Sequence, residues 1–206
     1  MGKESAAMNV SLKGILLWFS AIILTFVLWA PLTNATSVPP AKGAQLPKTD
    51  LPVPNDTAER LYLGLSGKGS FQIPEIKARV VIVEIFSMYC PYCQREAPEV
   101  NKLYEAIEGD HDLRGKIKII GIGAGNSQFE VGVFREKYKI PFPLFPDEDF
   151  SLHRCFGETR TPYFIAIRIN DDGSHKVIYS KLGGISGAEK FLNQITRLSG
   201  LEAGAK

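Results

Sequence analysis

Two cysteines separated by two residues, Cys90-Pro91-Tyr92-Cys93, stand just beyond the apolar run Val80 to Phe86, after Ser87-Met88-Tyr89. Thiols at that spacing can close into a small disulfide and reopen. Where a helix begins at the first of them, its dipole and its free amide groups stabilise a thiolate on the first sulfur. Cys90 is then the nucleophile, and Cys93, one turn on, resolves a mixed disulfide. Pro91 has no N–H to lose and its fixed φ suits a first helical turn, while Tyr92 gives the loop an aromatic surface for a substrate. The chemistry is thiol–disulfide exchange. It needs no organic cofactor.

Other uses of the pair are weaker. A zinc site needs more ligands, and the rest of the chain offers only Cys155 and the scattered His111, His153 and His175, so no metal is expected. A purely structural bridge across two residues would constrain little chain entropy, because disulfide stabilisation grows with loop length.

Three further residues bear on the thiols or stand apart from them. Glu84 lies within the apolar run, where desolvation would raise its pKa and let it relay the proton that leaves or reaches Cys93; the alternative is an acid at a strand edge that reaches solvent or an Arg. Glu96, three residues past Cys93, either tunes both thiols or is a surface acid favoured by the helix dipole. Cys155 reads as a small buried hydrophobe, with a second-stage thiol or an intermolecular bridge as the alternatives. His111 and His153 are expected to be exposed.

The elements that must hold these residues alternate. A short helix is expected within Asp56 to Leu65, an edge segment at Phe71 to Ile76, and a doubly covered strand at Val80 to Phe86. A helix from Gln94 places Val100, Leu103, Tyr104 and Ile107 on one face, with a kink expected at Pro98. Strand Ile117 to Gly123, helix Ser127 to Lys139, Phe142 to Phe145 and a short helix at Ser151 to Phe156 come next. A hairpin then turns at Asp171-Asp172-Gly173, between Tyr163 to Asn170 and Lys176 to Ser180. Gly183-Gly184 breaks the chain before a last helix, Ala188 to Leu198. This order predicts an α/β fold: a mixed central sheet, βαβ first and hairpin last, with helices on both faces.

The chain has 206 residues and a formal net charge of +2, with basic and acidic residues interleaved, which gives no nucleic-acid surface. Gly14 to Leu32 carries no charge, comes after Lys3 and Lys13, and places Trp18 and Trp29 as interfacial anchors, so residues 1–35 read as a membrane segment. It is either retained as an anchor or removed as a signal peptide, with small residues at Thr33-Asn34-Ala35 and an alternative start at Met8. Residues 36–55 are Pro-rich and read as a flexible tether, residues 56–200 as one domain, and residues 201–206 as a tail. The domain beyond the tether is expected at the extracytoplasmic face of the membrane or in the periplasm, where disulfides persist.

With these residues in place, Phe71 to Leu198 resembles a thioredoxin fold, and most closely the membrane-tethered thiol-disulfide oxidoreductases of the TlpA/ResA type. Glu84, six residues before Cys90, matches that family's buried acid, and Pro98, five after Cys93, matches its helix kink. Thr161-Pro162, after Phe156-Gly157, matches the cis-proline loop that faces the disulfide. Roughly seventy residues separate Cys93 from Pro162, and Phe142 to Asp147 resembles the central insertion of TlpA-like and peroxiredoxin-like proteins. Glu96 matches an acid near the active site. The resemblance implies that Pro162 is cis and that Thr161 offers backbone groups to an extended substrate beside Cys90. It also implies envelope protein substrates, apocytochromes among them, and a membrane electron donor that recharges the site.

The Glu-x-Phe-Ser run before Cys-Pro-aromatic-Cys is similar to DsbA-like oxidants as well, which leaves the direction of electron flow open. A peroxiredoxin-like peroxidase lacks its opening proline, with Val83 in that place, and a copper-binding assembly protein would space its cysteines more widely.

Overall fold

The structure is a computed structural model that describes residues 38–201. The expected membrane segment at residues 1–35 and all but the first residue of the tail lie outside the described residues. Among the described residues no helix is long and apolar enough to cross a membrane.

Five strands form the central sheet, in the order β5-β4-β3-β6-β7. Strand β3 (Val80–Phe86) lies in the middle, parallel to β4 (Ile117–Ala124) and antiparallel to β6 (Tyr163–Ile169). Strand β5 (Leu144–Asp147) pairs in parallel with β4, and β7 (His175–Leu182) returns antiparallel beside β6 through the expected hairpin. Every residue of β3 and β4 is buried, as their largely apolar runs, interrupted by Glu84 and Lys118, require of strands covered on both faces.

Alternation along β3 sends its side chains into two cores. Val80, Ile82 and Phe86 face one core with helices α2 (Pro91–Gly109), α3 (Gln128–Tyr138) and α5 (Ala188–Ser199). Helix α2 contributes Cys93, Ala97, Val100, Leu103 and Ile107, a stripe at helical spacing, and α5 contributes Phe191, Leu192 and Ile195. Val81, Val83 and Ile85 face the other core, which is closed by helix α1 (Thr57–Leu63), by Phe156 just after helix α4 (Ser151–Cys155), and by residues of the leading segment. Full burial of a large aliphatic or aromatic side chain contributes about 1.5–3 kcal/mol, so both faces of β3 anchor the strand that precedes the cysteines.

Three expectations need correction. Residues 38–55 do not stand off as a tether: Leu46 and Leu51 are buried in the second core. Gly43 N donates to Val177 O (2.8 Å) and Val177 N donates to Ala44 O (2.8 Å), which adds a rung to the outer edge of β7. Leu51-Pro52 also forms β1, antiparallel to Ser70-Phe71 (β2), a pairing that replaces the edge segment expected at Phe71 to Ile76. Composition points to a tether because prolines recur along it, but two leucines suffice to hold such a stretch down. His153 is half-buried instead of exposed: its Nε2 lies 2.6 Å from Thr159 O, and Phe150 packs against its ring.

Candidate active site

Strand β3 ends at Phe86, and the chain makes one turn, Cys90 N donating to Ser87 O (3.0 Å), before α2 starts. Cys90 is the N-cap of that helix. Its sulfur accepts from Cys93 N (3.4 Å) and Pro91 fills the first helical position, so the helix starts earlier than the expected Gln94 and at the point where a thiolate gains most. The helix continues unbroken through Pro98 to Gly109.

The peptide before the cysteines is held from both sides. Met88 N donates to Asn126 Oδ1 (2.8 Å), and Gln94 Nε2 donates to Met88 O (2.8 Å). Asn126 is wholly buried in the loop after β4, where its own N–H donates to Gly123 O and its carbonyl accepts from Asp147 N. Sequence reading missed both polar residues. The signal available was a lone Asn just ahead of the Ser127 cap, which reads equally well as a turn.

Opposite the helix start, the Thr161-Pro162 peptide is cis, in agreement with the resemblance. The Cys90 thiol donates to Thr161 O at 3.3 Å, which sets its sulfur against the backbone of that loop. Burial works against ionisation of Cys90. Hydrogen bonding to the Thr161 side chain, with Cys93 and with the Tyr92 backbone outweighs it, so the thiol ionises below its ordinary value. Cys93 behaves in the opposite way: it is fully buried, and burial, the Cys90 sulfur and the charge of Glu84 push its pKa far up, beyond what the Ser87 backbone bond returns. Both cysteines are free thiols in this structure.

Glu84 shares the β3 face of Ile82 and Phe86, below Cys93, with Gly121 and Phe164 across the neighbouring strands. It is 3 % exposed and its Oε1 has no hydrogen-bond partner. Burial, then the charges of Glu96 and Cys90, push its pKa up to about 8. Its burial rules out the solvent-reaching alternative, and among the described residues no Arg pairs with it, which leaves a carboxyl that can hold or release a proton near neutral pH.

Glu96 reaches the site by another route. Its Oε1 accepts from Ile185 N (2.7 Å), and Glu99, one turn on, accepts from Ala188 N (3.3 Å), so α2 caps the start of α5 with two carboxylates. Gly184 permits this, since a Cβ there would run into the Glu96 carboxylate. The charge of Glu96 bears on Glu84.

Two depressions meet at Arg160 and Thr161. One, of about 360 Å³, has Thr161, Pro162 and Gly183 along one side and Tyr92, Arg95 and Glu96 along the other. The second, of about 430 Å³, is bounded by Ser87, Tyr89, Phe150 and His153. Tyr92 is exposed and carries the Arg95 guanidinium 4.5 Å above its ring; Pro91 is exposed beside it. Cys155 is half-buried on α4 and His111 is exposed.

Comparison with known proteins agrees with this geometry. The description of the AhpC/TSA family matches residues 44–172, beginning well before residue 56. Thiol-disulfide oxidoreductase ResA of Halalkalibacterium halodurans is 27% identical over 128 residues, covering 61% of this chain and 68% of that protein. ResA of Bacillus thuringiensis subsp. konkukian is 26% identical over 134 residues, with 64% and 72% covered. Among solved structures, a putative thiol:disulfide interchange protein DsbE from Chlorobium tepidum superposes with a TM-score of 0.57 at 16% identity, covering 78% of this chain and 99% of that one, a likeness of fold. The chain therefore belongs to the AhpC/TSA family, as an oxidoreductase and a ResA-like redoxin of thioredoxin fold.

Proposed function

We propose that this chain exchanges thiols and disulfides with protein substrates through Cys90 and Cys93, outside the cytoplasm, and that it works as a reductase. The observation that carries this reading is the unequal pair of thiols: Cys90 at a helix start with its pKa lowered, and Cys93 buried with its pKa raised above an acid poised near 8.

The Cys90 thiolate attacks one sulfur of a substrate disulfide, forming a mixed disulfide and expelling a substrate thiolate, which takes a proton from water. Thr161 presents backbone beside the reacting sulfur, and Pro91 and Tyr92 offer the substrate an exposed surface. Ionised Glu84 then accepts the Cys93 proton, and the Cys93 sulfur attacks Cys90 Sγ. The second substrate thiolate leaves, two electrons have passed to the substrate, and Cys90–Cys93 is a disulfide. Glu96 acts at one remove, as a positioning residue whose charge raises the Glu84 pKa.

A donor thiol must reverse the change, with protonated Glu84 returning its proton to the Cys93 thiolate. A membrane electron donor and a membrane-tethered or secreted chain fit the uncharged segment Gly14 to Leu32, and apocytochrome cysteines fall within the substrate class. Equilibration of the full chain in graded thiol buffers, read by alkylation and mass shift, tests the direction. A potential near or below about −250 mV is expected for a reductase, and one near −120 mV would make the chain a disulfide-introducing oxidant.

A further inference from the structure

The depression of about 360 Å³ beside Cys90 carries an excess of positive charge. Arg95 and Arg160 line it, both exposed, and among the described residues neither has a carboxylate within ion-pair distance. Its one acid, Glu96, is engaged by Ile185 N–H. Arg160 also borders the second depression, where the other titratable side chains are His153 and Tyr89. Glu130 lies beyond Tyr89 and is taken up by the Tyr89 hydroxyl and by Ser127.

The Arg95 guanidinium lies 4.5 Å over the Tyr92 ring, and a guanidinium can meet a carboxylate through paired hydrogen bonds. Arg160 immediately precedes Thr161, whose carbonyl touches the Cys90 sulfur, so a polypeptide whose cysteine reacts at Cys90 lies beside the depression that both arginines line. We infer that Arg95 and Arg160 form an acidic-residue subsite, selecting polypeptide substrates with Asp or Glu flanking the reacting cysteine. This inference rests on the exchange reading above and names the substrate class for it.

The test uses the reduced full chain and two short peptides, each with one cysteine joined by a disulfide to 2-mercaptoethanol and flanked by Asp in one peptide and Lys in the other. Bis(2-hydroxyethyl) disulfide serves as an uncharged reference. The wild type should react with the Asp peptide about tenfold faster than with the Lys peptide at low salt, and the ratio should fall towards one in about 0.5 M salt. Arg95→Gln/Arg160→Gln should bring the ratio to about one at low salt, and Arg95→Glu/Arg160→Glu should invert it. The ratio cancels any general change in thiol reactivity. Equal rates with both peptides, or a preference that survives charge reversal, would overturn the subsite while the uncharged reference still reacts. If the wild type reacts with none of the three disulfides, the exchange reading fails and the subsite with it.

Discussion

At the scale of single residues, the site separates two thiols that chemistry alone would make equal. Cys93→Ser should leave Cys90 able to attack but not to be released, so a mixed disulfide should accumulate and be visible as a mass increase on non-reducing gels. Cys90→Ser should trap nothing. Glu84→Gln should slow release of the mixed disulfide by about 10²-fold and remove the pH dependence of that step, which in the wild type should rise as pH approaches the Glu84 pKa of about 8. Stopped-flow measurement of the resolving step between about pH 6 and pH 9 checks this.

The same carboxyl also couples stability to pH. Its folded pKa lies above the ordinary 4.5, so between these values the unfolded chain has released a proton that the folded chain still holds. Folding stability from this group therefore declines as pH rises from about 4.5 to about 8 and then levels off. Glu84→Gln should abolish that decline in urea titrations and be the more stable protein at pH 8. The cysteine pair and Glu84 were legible in the sequence because each breaks a local pattern: thiols at exchange spacing, and a charge inside an apolar strand. Asn126 and Gln94 break none, and the role of Asn126 depends on a partner 38 residues away in sequence.

Among the elements, the strands and helices of the domain fall close to where periodicity and capping residues put them, because β3, β4 and the helices around them are long and strongly patterned. The joints between elements were not legible. Asn126→Ala would leave the half-buried Met88 N–H without its acceptor and should cost about 1–2 kcal/mol in a thermal or urea melt. It should also slow alkylation of Cys90 by iodoacetamide at neutral pH, as the loop before the thiolate loses its set position. The second joint runs from α2 to the turn before α5. Gly184→Ala would force the Glu96 carboxylate away from Ile185 N and should cost about 1–3 kcal/mol. In combination with Glu96→Ala the two losses should be clearly less than additive, since either change alone breaks the same contact.

For the molecule as a whole, the lesson concerns where the domain begins. Proline-rich composition suggested a tether up to residue 55, yet Leu46 is 8 % exposed and Leu51 fully buried. Long-range packing of a few apolar side chains cannot be seen from local composition, and there the sequence reading stopped short. Leu46→Ala in the full chain should lower unfolding free energy by about 2–3 kcal/mol, as a core leucine does, whereas a leucine in a free tether would change it by less than about 0.5.

The rung that Gly43 and Ala44 add at Val177 has a consequence for behaviour in concentrated solution. Strand β7 ends the sheet, and unpaired backbone on such a strand is a template for a second chain. Here the protein's own leading residues occupy part of that template. A proteolytic cut between residues 44 and 51 would free it, so clipped molecules should assemble through β7 into sheet-paired aggregates while intact ones stay apart, the folded thiol site itself unaltered in both.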